Sequence, residues 1–187
     1  LGQDLLAFVA RGGRAVVLEQ EHPVAGRNLA SALETTGHFG GYAHCQALGT
    51  PSFADLAAED LTDWAGDHPT YKAVYKKPKQ GARSLVECGP LLPYSALIEM
   101  PAGQGIMVLC QLRVGAKLGL EPAADILFKN MIEQYAEYTP STAVAAIYAG
   151  DNKLLDKKIA ETGVLQKTVS SIDTALNLDK YSVAVID

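Results

Sequence analysis

Carboxylates, amides and a histidine gather where the apolar runs of this sequence end. Glu19, Gln20, Glu21 and His22 follow the run 15–18, and Gln111 and Arg113 follow the run 106–110. Asp151 and Asn152 follow 144–148, and Asp187 follows 183–186. Open α/β sheets collect ligands at the carboxyl ends of their strands. Carboxylates with a histidine at such a crevice can hold a sugar or a divalent cation. Glu21 and His22 are neighbours, so on a strand they point to opposite faces, and only a turn brings both to one ligand. Trp64, the single tryptophan, is flanked by Asp63, Asp67 and His68. It is either a wall-packing side chain or a platform on which a ligand stacks. The ligand candidates are therefore Glu21, His22, Gln111, Asp151, Asp187 and Trp64. The competing expectation is a solvated crevice that binds nothing.

Other chemistry has less to build on. Cys45, Cys88 and Cys110 are widely spaced and form no C-x-x-C pair, which disfavours a zinc knuckle or a thioredoxin-like motif. Cys110 ends an apolar run and reads as a small core residue. Cys45 and Cys88 could form a disulfide by count alone. His38, His44 and His68 lack ligand spacing. Gly150 is a single glycine after a strand, too little for a dinucleotide loop. No catalytic residue, metal or cofactor is expected. Lys72, Lys76, Lys77 and Lys79 form a basic run, read as a solvated strand edge or loop rather than a polyanion site.

Several elements must position these groups. Leu5, Leu6, Phe8 and Val9 give residues 1–11 a helical apolar face, and Gly12-Gly13 stops the helix. A strand follows at 15–18. Between 25 and 119 prolines and glycines are frequent and apolar runs short. Strands are expected at 31–35, 42–46, 71–75, 83–87, 95–100 and 105–112, forming an antiparallel extension of the sheet. Residues 101–105 are the turn of a hairpin. A single helical turn is expected within 55–64. Glu121-Pro122 opens a helix to about 138, and a linker covers 139–142. A strand at 144–148, a helix at 153–161 capped by Gly163, a strand at 164–169, a short helix at 171–178 and a strand at 181–186 then follow the order of an opening βαβ sheet.

The length of 187 residues suits one domain or one and a half, and a hydrophobic fraction of 48% is enough for a buried core. The net charge of −5 gives no electrostatic reason to expect DNA or RNA as a partner. No apolar stretch approaches the roughly 18 residues that span a bilayer, so no membrane partner is expected. No signal peptide is seen, though a segment of a longer polypeptide would not carry its parent's leader. Compartment stays open: a soluble protein of the bacterial cytoplasm, or secreted or periplasmic as the parent dictates. The first helix lacks a preceding strand and the last strand lacks a following helix. That complementarity predicts a segment of a longer polypeptide whose halves, 1–139 and 140–187, complete one sheet.

Residues 12–138 resemble the C-terminal half of class I glutamine amidotransferase-like (flavodoxin-like) domains, of the non-catalytic type appended to bacterial beta-galactosidases and related glycoside hydrolases. The resemblance is carried by Gly12-Gly-Arg-Ala-Val-Val-Leu-Glu-Gln20, by Asp60-Leu-Thr-Asp-Trp-Ala-Gly-Asp-His68 and by Leu92-Pro-Tyr-Ser-Ala-Leu-Ile-Glu99. Gly103-Gln-Gly-Ile-Met-Val-Leu-Cys-Gln-Leu112 and Glu121-Pro-Ala-Ala-Asp125 continue it. Residues 142–187 resemble the start of a second such domain. The resemblance implies an α/β fold: a doubly wound, mostly parallel sheet with an antiparallel extension, either circularly permuted or built from two half-domains. Active amidotransferases need a cysteine on a sharp, glycine-flanked turn and a His–Glu pair to activate it. Here the strand at 15–18 leads into Glu19-Gln-Glu-His-Pro23 with no cysteine, so glutaminase chemistry is not expected.

Three functions follow as expectations. The first is a non-catalytic structural or interaction module of a carbohydrate-active enzyme, with the parent's other domains or a second copy as partner. The second is a module that binds carbohydrate or another small ligand. The third is an enzyme domain of the trehalose-utilisation-like branch, assisted by a metal.

Overall fold

The apolar run after Gly105 becomes an interior strand of the main sheet. The structure is a computed structural model that describes residues 2–26, 29, 31–140, 144–161, 166–177 and 179–187. The chain divides into two compact units, Leu1–Pro140 and Ser141–Asp187.

In the first unit, helix α1 (Gly2–Ala10) leads into strand β1 (Arg14–Val17). Short strands follow: β2 (Phe39–Gly40), β3 (Ala43–Cys45), β4 (Tyr71–Lys72) and β5 (Tyr75–Lys76). Three longer ones, β6 (Arg83–Cys88), β7 (Tyr94–Ala102) and β8 (Gly105–Cys110), precede helices α2 (Val114–Lys117) and α3 (Pro122–Ala136). The main sheet has the order β1-β8-β7-β6-β3, with β5 also beside β7, and β2 pairs with β4 separately.

β8 is buried at every residue, and its alternation serves two cores. Ile106, Val108 and Cys110 pack with Phe53, Leu61 and Trp64 and with Leu127, Met131 and Tyr135 of α3. Met107 and Leu109 pack on the other face with Val9 of α1, Tyr75, Ile98 and Met100. Successive strand residues point to opposite faces, so a strand with a core on each side must be apolar throughout.

The expected doubly wound, mostly parallel sheet is not what forms. β1–β8 is the single parallel pair of the main sheet, and β3–β6, β5–β7, β6–β7 and β7–β8 are antiparallel. Among the described residues helix is scarcer than strand, 25% against 31%, too little helix to cross over between successive parallel strands. The run 105–110 reports burial on both faces, which an antiparallel neighbour satisfies as well as a parallel one. The hairpin turn decides the direction: Ala102 faces Gly105 across it, and Gly103 takes φ +58°. A Cβ on Gly103 would lie 2.4 Å from the Ala10 carbonyl oxygen, so glycine is required there.

Other expectations shift locally. Residues 71–75 do not form one strand, because Ala73 at φ 52° breaks them into β4 and β5. Residues 31–35 contribute only bridges, including Thr35 to Tyr75. The single helical turn expected within 55–64 forms as the 3₁₀ turn Ala58–Leu61, and a second such turn, Pro51–Phe53, precedes that range. α3 begins as expected, with Pro122 in its first turn and the Glu121 carboxylate accepting from Ala123 N–H.

The second unit is a small parallel sheet. Strand β9 (Ala145–Tyr148), helix α4 (Lys153–Glu161), strand β10 (Gln166–Thr168), helix α5 (Ile172–Ala175) and strand β11 (Val183–Ile186) follow in order. β9 lies between β10 and β11, both parallel to it. The expected cap Gly163 and the strand start at Val164 lie outside the described residues. Within this unit both edges of β9 are taken, by β10 and by β11. A lone strand pairs most readily with partners a short crossover away, because closing a longer loop costs more entropy. No described helix is long and apolar enough to cross a membrane.

Candidate functional site

The carboxyl ends of β1 and β8 lie side by side, because these strands are parallel with Val17 opposite Leu109. Past that register each strand delivers polar side chains into the same place. Glu19 leaves β1 and caps α2: its carboxylate accepts from Gly115 N–H at 3.0 Å and Ala116 N–H at 2.6 Å. Gly115 makes room, since a Cβ there would lie 3.3 Å from both carboxylate oxygens.

Gln111 leaves β8 and is 1% exposed. Its Oε1 accepts from Gln20 N–H at 3.1 Å, and its Nε2 donates to the carbonyls of Gln20, Lys72 and Ala73 at 3.0–3.1 Å. One amide thus ties the end of β1 to the kink between β4 and β5. A buried amide with every polar atom bonded is a clamp, and a ligand could reach it only by breaking backbone bonds.

A second knot lies beyond β8. Arg113 donates to Asp67 Oδ2 at 2.5 Å, and buried Lys117 of α2 bonds Asp67 Oδ1 and the Ala65 carbonyl. Glu121 accepts from Ala65 N–H at 2.9 Å while capping α3. Trp64, 1% exposed, packs inward and donates its indole N–H to the Asp60 carbonyl at 2.7 Å. Asp63 and His68, at φ 46° and 70°, bracket this loop in the left-handed region, and Trp64 bridges to His68. Lys117 and then Arg113 hold the Asp67 carboxyl well below the usual carboxylate range. A folded value below the unfolded one lends stability above the ordinary pKa and loses it as the pH falls through the lowered value. Asp67 is exposed, so solvent screening keeps that contribution small.

The remaining candidates are apart from this cluster. Glu21 and His22 are exposed in the bend after β1 and make no hydrogen bond or ion pair among the described residues. In the second unit, Asn152 donates to Asp187 at 2.7 Å and its Oδ1 accepts from Leu155 N–H at 3.1 Å, which caps α4. Asp151 is exposed in the preceding turn. Sequence reasoning named Glu19 and Arg113 as strand-end groups but missed Lys117 and Glu121. Neither has a local signal for its role, since Lys117 sits among small residues of a short helix and Glu121 reads only as a helix cap.

No protein-family model and no curated protein matches this chain.

The functional reading therefore rests on the residues themselves. Among the described residues no three His, Cys, Asp or Glu side chains are placed to hold a metal ion. All three cysteines are free and buried. Burial pushes the Cys88 thiol up to about 12, and burial also raises Cys45 and Cys110. A thiol at about 12 is ionised to roughly one part in ten thousand at pH 8. The native chain is expected to leave its thiols unreacted with a disulfide reagent at pH 8, and to release three equivalents once unfolded in denaturant. A fast native equivalent would place one of them in an open, activated setting.

His38 forms a smaller polar cluster. Its Nε2 lies 3.2 Å from the Tyr71 hydroxyl, and its ring centroid lies 5.0 Å from that of Tyr94. Burial, with Cys88 beside it, raises the Tyr71 phenol to about 12, so it stays protonated.

Proposed function

We propose that this chain is a non-catalytic structural and interaction module of a multidomain carbohydrate-active enzyme of the beta-galactosidase-like kind. One observation carries the non-catalytic part. The polar groups at the carboxyl ends of β1 and β8 are bonded to the chain itself: Glu19 to α2, Gln111 to the backbone of Gln20, Lys72 and Ala73, and Arg113 and Lys117 to Asp67. Catalysis needs groups held ready for a substrate, with their donors and acceptors aimed at the reacting atoms. Here the same groups join β1, β8, α2 and the Trp64 loop into one brace. The carbohydrate-active parent rests on the resemblance of residues 12–138.

The test is turnover by the purified chain of glutamine and of a panel of nitrophenyl glycosides. The expected rate is the uncatalysed background, unchanged by Glu21→Ala or His22→Ala. Turnover above background that either substitution removes would overturn the proposal.

A further inference from the structure

A cavity of about 410 Å³ opens between the segment before β2 and the turn after β5. Ser31, Glu34, Lys76, Lys77, Lys79 and Gln80 line it. Small-molecule sites occupy about 300–1,000 Å³, whereas one water takes about 30 Å³, so the space suits an organic molecule rather than a bare ion. None of these residues belongs to the brace at the ends of β1 and β8.

Three lysines line this cavity in a chain whose net charge is −5. Lys76 pairs with Glu34 at 2.6 Å, and Lys77 pairs with Glu87 at 2.6 Å. Lys79 makes no direct ion pair among the described residues, although its charge acts on the Glu34 carboxylate that Lys76 holds. The turn that presents Lys79 is fixed: Lys77 N–H donates to the Pro93 carbonyl, the ring of Pro78 locks its own φ, and Ser31 Oγ donates to the Gln80 carbonyl at 2.5 Å. The Gln80 side-chain amide makes no hydrogen bond among the described residues, so the cavity lining holds a donor and an acceptor in addition to Lys79.

We propose that this cavity binds a small anionic ligand of sugar size. Its carboxylate or phosphate lies against Lys79, and its hydroxyl groups bond the Gln80 amide. Lys76 and Lys77 add positive potential but stay paired with Glu34 and Glu87. A neutral sugar of the same size lacks the group that Lys79 selects.

Calorimetry of the 187-residue chain at low salt, with glucuronate, glucose 6-phosphate, inorganic phosphate and glucose, tests this. At least one of the two sugar anions is expected to bind saturably, and which one separates carboxylate from phosphate recognition. Inorganic phosphate and glucose are expected to bind at least about tenfold more weakly. Lys79→Gln should weaken the sugar anion about tenfold, as loss of a charged hydrogen bond does, while Lys79→Arg retains most of the affinity. Added salt should weaken it further. Lys79 is exposed, so both variants should melt as the parent does. The proposal is overturned if neither sugar anion binds at millimolar concentration, or if glucose or inorganic phosphate binds as tightly. An unchanged affinity in Lys79→Gln also overturns it.

Discussion

Val108→Asp is expected to abolish folding of the Leu1–Pro140 unit. Val108 is fully buried in β8, opposite Val16 of β1 on one side and Glu99 of β7 on the other. An unpaired carboxylate there would face Trp64, Leu127 and Met131, at a cost of several kcal/mol. That approaches the whole stability of a domain this size, about 5–15 kcal/mol. Trp64 reports on this unit alone, because the chain has one tryptophan. The expected variant has a red-shifted emission and no cooperative fluorescence transition on heating. Val17→Asp is the comparison. β1 has one strand neighbour, β8, and Val17 is only half-buried, so this variant should still melt cooperatively at a lower temperature. A cooperative, near-parental melt of Val108→Asp would remove β8 from the centre of the sheet.

Trp64→Ala is expected to cost about 3–5 kcal/mol, as truncating a fully buried large aromatic does. The loss has two parts. The indole fills the space among Phe53, Leu61, Val114 and Leu127. Its N–H also satisfies the Asp60 carbonyl, which anchors the loop whose Asp67 and Ala65 are bonded to Lys117. Trp64→Phe keeps most of the volume and drops the hydrogen bond, so it should cost less. Chemical denaturation followed by circular dichroism measures both. In the parent chain, Trp64 emission should be blue-shifted and unmoved by neutral saccharides. A Trp64→Ala midpoint equal to that of the parent, or quenching by a saccharide, would return Trp64 to the surface as a stacking platform.

The two results together test why the candidate groups are spent on the fold. β8 delivers Gln111 to the clamp only if it is a buried interior strand, and the Trp64 loop delivers Asp67 to Arg113 and Lys117 only if the indole is anchored. A chain braced in this way presents its surface rather than a reactive crevice, as an interaction module requires. Its exposed apolar side chains include Phe39, Tyr42 and Leu91. The lysine-lined cavity is separate from the brace, so loss of anion binding in Lys79→Gln would leave the brace and the non-catalytic reading untouched.

Local features of the sequence determined the elements. The apolar face of α1 with Gly12-Gly13 behind it, the Glu121-Pro122 start of α3, the turn at Gly103 and the burial of β8 all follow from neighbours within a few residues. The order of β9, α4, β10, α5 and β11 is legible for the same reason. Strand direction and partner choice are not local. A wholly apolar run such as 105–110 states that both faces are covered, and the tight turn after Ala102 made β7 antiparallel beside it. Within the second unit β9 filled both its edges with its own near neighbours, β10 and β11. The fate of polar side chains was settled last. Trp64 among acidic residues, Gln111 at a strand end and Lys117 on a short helix all carry the composition of a surface. The indole N–H of Trp64 is satisfied locally by the Asp60 carbonyl, whereas Gln111 and Lys117 are buried because partners distant in sequence satisfy their polar atoms: Gln20 and Ala73 for Gln111, and Asp67 for Lys117. Satisfaction by long-range hydrogen bonds is what allows a polar group into a core, and only the tertiary structure supplies those partners.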